Sequence, residues 1–174
     1  MFLRRKIKMY IKYKGYIKMA NKLNAEMSKI LNEMVKRKEI FHNFRFPAQK
    51  FWSEVLADNL VIKNDGTIYF IECKMSKRDF FNKGSATKPK QIETNQFLRF
   101  PHLKHFYFFA TYRLQKNRYS RNAYIILDIS NVKTRINSVI EENDLKNQAF
   151  IMQENMALKD FEIFVQNLIL GGKI

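Results

Sequence analysis

One cysteine, three prolines, five glycines and one tryptophan are all that 174 residues contain of these types. A lone Cys73 excludes an intramolecular disulfide and any metal centre built from several thiolates, and it suits a reducing compartment. With so little glycine and proline, no low-complexity linker appears, and no internal repeat is visible. No apolar run approaches the roughly 20 residues of a membrane span. The basic N-terminus lacks the continuous apolar core of a signal peptide. These absences predict a soluble, cytoplasmic chain with no membrane partner. Acidic residues are scarce as well: 16 Asp and Glu face 32 Lys and Arg, for a formal net charge of +16. Such an imbalance implies a polyanionic partner, with nucleic acid ahead of an anionic lipid surface.

What is present is apolar and aromatic. The chain is 46% hydrophobic, with 16 Phe and 8 Tyr, enough for one domain with a sizeable core. Residues 1–18 form a basic arm without an acidic residue, and Met19, followed by Ala20 and Asn21, offers an alternative start. Residues 19–174 then make a single domain. Leu23, Met27, Ile30, Leu31, Met34 and Val35 recur at helical spacing and predict a helix over 21–38. Strands are expected at 40–46, 55–62 and 67–74, the last two joined by the Asn64-Asp65-Gly66 turn. Ser76 reads as the cap of a helix start, followed by a basic loop over 82–90 (NKGSATKPK). A short helix over 91–100, a central strand over 105–111, a basic loop over 113–121 and a strand over 124–129 follow. An edge strand over 132–140 and a helix over 156–170, stopped by Gly171-Gly172, complete the order. Strand pairs interrupted by helices predict an α/β fold, a mixed β-sheet flanked by helices.

Charge sits awkwardly in one place. The apolar strand 67–74 ends in Glu72-Cys73-Lys74, and Asp58 lies on the preceding strand with thirteen residues between it and Glu72. Strand alternation puts Glu72 and Lys74 on one face and Cys73 on the other. A hairpin partner can bring Asp58 beside them. Carboxylates and an ammonium at the end of buried strands are costly unless they do chemistry. Asp58 and Glu72, with the backbone carbonyl of Cys73, are an oxygen donor set suited to Mg²⁺, for which Mn²⁺ can substitute. Lys74 is placed to orient or deprotonate a water and to steady developing phosphoryl charge.

The run ADN…TIYFIECK resembles the PD-(D/E)XK nuclease superfamily, with Ala57-Asp58 at the first motif and Glu72-Cys73-Lys74 at the second. Met75 to Phe80 and the aromatic strand at 105–110 are similar to the MmcB-type DNA-repair branch. Ala57 stands where proline is usual, and Asn59 where the branch has an apolar residue. The resemblance implies a restriction-endonuclease-like core and a Mg²⁺-dependent nuclease acting on DNA, with RNA the alternative, in repair, recombination or a mobile element. It also implies a helix-one glutamate, for which Glu26 and Glu33 both qualify, and a glutamine near the scissile phosphate, for which Gln96 qualifies. Glu54 shares a strand face with Asp58 and is a further candidate ligand. Lys77, Lys88, Lys90 and Arg113 are expected at nucleic-acid phosphates. Two rivals stand beside this expectation. One is a non-catalytic nucleic-acid-binding module, for which the charge alone suffices. The other is a structure-selective resolvase, which would act as a homodimer.

Overall fold

The computed structural model describes residues 22–46, 56–77, 80–82, 93–94, 96–115, 118–132 and 139–172. The first element among the described residues is a helix, α1 (22–36), which buries Leu23, Met27, Ile30, Leu31 and Met34 at helical spacing. It ends where Lys38 turns left-handed (φ 60°) and the Glu39 N–H closes on the Met34 carbonyl at 2.9 Å.

Strands β1 (His42–Arg45), β2 (Asn59–Ile62) and β3 (Ile68–Ser76) form an antiparallel meander. Between β2 and β3, Gly66 takes φ 83°, Lys63 N–H donates to the Thr67 carbonyl at 2.9 Å, and Asp65 accepts from Thr67 N–H. The expected Asn64-Asp65-Gly66 turn is therefore present, with glycine at the position whose backbone an L side chain resists.

The chain then departs from the helix expected at Ser76. β3 continues through Met75 and Ser76, which pair in parallel with Ala110 and Thr111, and β4 (Phe80–Asn82) follows. Ser76 Oγ donates to the Phe80 carbonyl at 3.1 Å, so it closes a turn between strands instead of capping a helix. Within the helix expected over 91–100, the described residues hold a helical pair at 93–94 and a 3₁₀ turn at Gln96–Arg99. β5 (Leu103–Gln115) and β6 (Arg118–Ile126) are an antiparallel pair that extends through the expected basic loop. β7 (Val139–Glu141) pairs with β4 as a separate two-stranded ribbon. α2 (Glu142–Gln148), β8 (Ile151–Ala157) and α3 (Phe161–Leu170) complete the order. β8 occupies residues where the sequence suggests the start of the last helix. Gly171, left-handed at φ 73°, ends α3 as expected.

The main sheet runs β1-β2-β3-β5-β6-β8, antiparallel except for the β3–β5 pair. The fold is thus a mixed sheet with helices packed on it. One face carries Tyr69, Ile71, Cys73, Phe106, Phe108, Ala123 and Ile125, and packs against α1 and α3 in a single core. The opposite face carries Tyr107, Phe109, Tyr124 and Ile126, and packs under the β4–β7 ribbon and Leu145 of α2. Among the described residues no helix is long and apolar enough to cross a membrane. The arm at 1–18 and the loop at 83–90 lie outside the described residues.

Candidate active site

Asp58 immediately precedes β2 instead of sitting in the middle of a longer strand. Its N–H donates to the Ile71 carbonyl at 3.0 Å, and its side chain then turns along the edge of β3. There Asp58 Oδ2 accepts from the Cys73 N–H at 2.8 Å. The β2–β3 register ends at Asn59↔Ile71, so Cys73 N–H points past the end of its partner strand. The carboxylate takes the place a backbone carbonyl would have filled. In a strand the N–H and C=O of one residue face the same neighbour, so the Cys73 carbonyl opens toward Asp58 as well.

Glu72 and Lys74 project from the face opposite the α1 core, and the Lys74 ammonium pairs with Glu72 Oε1. Glu72 is buried to 5% residual exposure, and the Lys74 side chain keeps 18%. Burial pushes the Asp58 carboxyl up to about 6, and the Glu72 carboxylate beside it pushes the same way. The Cys73 N–H, Lys74 and Arg45 pull in the other direction without cancelling it. Cys73 itself is buried in the α1 core, where desolvation raises its thiol well above the usual range. It is a packing residue and not a nucleophile.

A polar seam from α1 supports this corner, and sequence reading passes over it. Asn24, Ser28 and Asn32 recur every four residues beside the apolar stripe. Asn24 Nδ2 donates to Asp58 Oδ1 at 2.7 Å, Ser28 Oγ donates to Asn59 Oδ1 at 2.8 Å, and Asn43 Nδ2 donates to Asn32 Oδ1 at 2.9 Å. Asn59 Nδ2 returns a bond to Asn24 Oδ1 at 3.1 Å. Asn59, fully buried, is thus the hinge of an amide network that fixes the Asp58 carboxylate. The signal was visible as polar residues at i, i+4 and i+8 flanking a helix's buried face.

Neither helix-one glutamate reaches the site. Glu26 accepts from Arg121 Nη2 at 3.2 Å, on a different side of α1 from Asn24, and Glu33 pairs with Lys36. Arg121, expected in a basic loop, is a buried β6 residue whose guanidinium lies 4.2 Å from the Phe161 ring centroid and 4.7 Å from that of Tyr112. Gln96 is exposed on the 3₁₀ turn before β5, and no described hydrogen bond joins it to Asp58, Glu72 or Lys74. Lys77 is exposed just after β3. Arg113 lies within β5 opposite Ser120, not in a loop. Glu54, Lys88 and Lys90 lie outside the described residues.

A second polar cluster occupies the same face farther along. Buried Glu142, at the start of α2, accepts through Oε1 from Asn122 Nδ2 at 2.8 Å, from the Tyr124 hydroxyl and from Thr111. Its setting, mainly by desolvation, raises the Tyr124 phenol. Thr111 pairs with Ser76 on β3, two residues beyond Lys74.

Among the described residues no group of three His, Cys, Asp or Glu side chains could hold a metal ion. The corner itself offers two carboxylates and one carbonyl. Mg²⁺ is usually held by one or two carboxylates, with waters and substrate phosphate completing its shell, so this donor set fits. The mutual repulsion of Asp58 and Glu72 is the charge a dication would neutralise. No protein-family model matches the chain, and a search of curated proteins finds no significant match.

Proposed function

We propose that this chain is a divalent-metal-dependent nuclease that hydrolyses phosphodiester bonds in DNA, with RNA the alternative substrate. One observation carries the reading: the Asp58 carboxylate is held on the Cys73 backbone at 2.8 Å, between the buried Glu72 and Lys74. Asp58, Glu72 and the Cys73 carbonyl would hold Mg²⁺ or Mn²⁺. When bound, the ion would supply Lewis acidity and charge neutralisation at the phosphate. Lys74, partly exposed and already tied to Glu72, orients the attacking water and faces the charge that develops on phosphoryl oxygen. Asn24 and Asn59 keep the Asp58 oxygens aimed at the site. The net charge of +16 draws the polyanion.

A second reading has its own observation. The helix supplies Asn24, an amide, where the resemblance implies a carboxylate, and both Asp58 oxygens already accept protein hydrogen bonds. That favours a metal-independent nucleic-acid-binding module. The two are separated by incubating the protein with plasmid, single-stranded and branched DNA in Mg²⁺, Mn²⁺ or EDTA. The nuclease reading expects metal-dependent cleavage that Asp58→Ala and Lys74→Ala abolish while DNA binding persists. The binding-module reading expects salt-sensitive association, indifferent to metal and to Glu72→Gln.

A further inference from the structure

The sheet face that carries Glu72 and Lys74 is covered on its β5–β6 half by the β4–β7 ribbon and α2. Among the described residues, no element covers its β1–β2 half in the same way. Phe44, Leu60 and Phe70 lie across β1, β2 and β3 at one level, as the registers Phe44↔Leu60 and Leu60↔Phe70 require. Phe70 and Glu72 share a face by strand alternation. Phe44 is 48% exposed, while Leu60 and Phe70 are half-buried. Phe46, the next residue on the Phe44 side, packs edge-on against it with centroids 5.1 Å apart, and its N–H donates to the Asp58 carbonyl at 3.0 Å. An aromatic strip therefore runs from the sheet edge to the residue that anchors the candidate site. At strand spacings, Phe44 lies roughly 10–12 Å from Glu72, within the span of a few nucleotides.

Isolated aromatics on an edge strand need no explanation, but this strip has a second property. Arg45, between them in sequence but turned to the other face of β1, is exposed and contributes favourably to the Asp58 carboxylate field. The chain as a whole has twice as many cations as anions. Open aromatic rings leading to a phosphate site, on a chain of this net charge, fit unpaired bases. In a duplex the bases are stacked on one another and cannot lie on a protein ring. A protein partner would be expected to match so basic a surface with acid, and nothing in an apolar strip selects for that.

We propose that Phe44 and Phe46 form a base-stacking subsite, so that the substrate is single-stranded nucleic acid or an unpaired stretch flanking the scissile phosphate. This rests on the nuclease reading only for which phosphate is cut. The test is fluorescence anisotropy in EDTA, comparing a labelled oligothymidylate with a duplex of equal phosphate count. The unaltered protein should favour the single strand about tenfold. The Phe44→Ala/Phe46→Ala variant should lose about tenfold or more toward the single strand and little toward the duplex. Phe44→Tyr, which keeps a ring, should retain the preference. The slope against salt should stay unchanged, since no phosphate contact is removed.

Equal affinity for duplex and single strand in the unaltered protein would overturn the proposal. So would equal losses on both substrates, or losses only on anionic vesicles. If Phe44→Ala leaves affinity intact but converts a dimer to a monomer in sedimentation, a second copy covers the strip and the proposal fails. Should the double variant not fold, the half-exposed single variant Phe44→Ala and the unaltered protein's strand preference still decide. Because EDTA suppresses cleavage, the outcome is independent of the metal reading. Normal cleavage by Asp58→Ala with lost single-strand binding in Phe44→Ala would remove the active-site assignment and leave this one standing.

Discussion

Raising the pH should weaken the metal-free protein through Asp58. This carboxyl titrates near 3.8 in an unfolded chain and at about 6 in the folded protein, chiefly because it is buried and faces Glu72. Between those values the folded state holds a proton that the unfolded chain has released, so stability falls as pH rises. The favourable contribution is complete below 3.8 and is lost above 6. A gap of about 2 at 1.36 kcal/mol per unit gives roughly 3 kcal/mol. For a chain of this length that corresponds to a fall in Tm of about 6–12 °C. Other carboxylates titrate in the same range, so the assay is a comparison: thermal unfolding in EDTA from about pH 4.5 to 8, for the unaltered protein and Asp58→Asn. The variant lacks this titration, and its stability relative to the unaltered protein should climb from about pH 4.5 to a little above 6 and then level off. Adding Mn²⁺ should restore the unaltered protein near pH 7.5. It should do so far less near pH 5, where roughly a tenth of the molecules carry ionised Asp58. Asp58→Asn should gain little from Mn²⁺ at either pH. Parallel stability curves for the two proteins would refute the assigned burial and coupling. Equal Mn²⁺ stabilisation of both would refute Asp58 as a ligand.

Other outcomes follow from the same contacts. Asn24→Ala removes a donor from ionised Asp58, so the acid limb of a pH–activity profile should move upward while nucleic-acid binding holds. Ser28→Ala leaves the buried Asn59 amide short of a partner and should cost about 1–3 kcal/mol in urea unfolding. Glu26→Ala strands the buried Arg121 guanidinium and should cost about 1.5–3 kcal/mol, yet leave cleavage unchanged. Loss of metal-dependent activity there, with stability intact, would instead make Glu26 a ligand. Glu142→Ala, which abandons the Asn122, Tyr124 and Thr111 donors, should destabilise by a similar amount on denaturant titration.

The hairpin was legible because two strong local rules agree there: an Asn-Asp-Gly turn and an apolar alternation that breaks at Glu72-Cys73-Lys74. The core face of α1 followed from its period. Cys73 as a packing residue followed from alternation alone. What escaped was decided by tertiary partners. Ser76 has good cap chemistry, but the parallel ladder to Thr111 claims its backbone, and local preference yields to the sheet. The stretch at 113–121 looks like a loop because it is basic, whereas long β5 and β6 strands pair through it and bring Arg121 against the Tyr112 ring and, from α3, the Phe161 ring. β8 has four consecutive exposed positions, so no burial pattern marks it in sequence. The Asn24–Ser28–Asn32 seam could have been read as a polar line beside an apolar one. Its partners, Asp58, Asn59 and Asn43, become evident only once β1 and β2 lie against the helix.

The most direct test of the central claim is cleavage of plasmid and single-stranded DNA by the purified protein, with Mg²⁺ or Mn²⁺ against EDTA, alongside Asp58→Ala and Lys74→Ala. The expected result is metal-dependent cleavage by the unaltered protein, lost in both variants while each still binds DNA. Cleavage that survives both substitutions, or an unaltered protein that binds DNA but cuts none of it in either metal, would contradict the assignment of Asp58, Glu72 and Lys74 as a nuclease site.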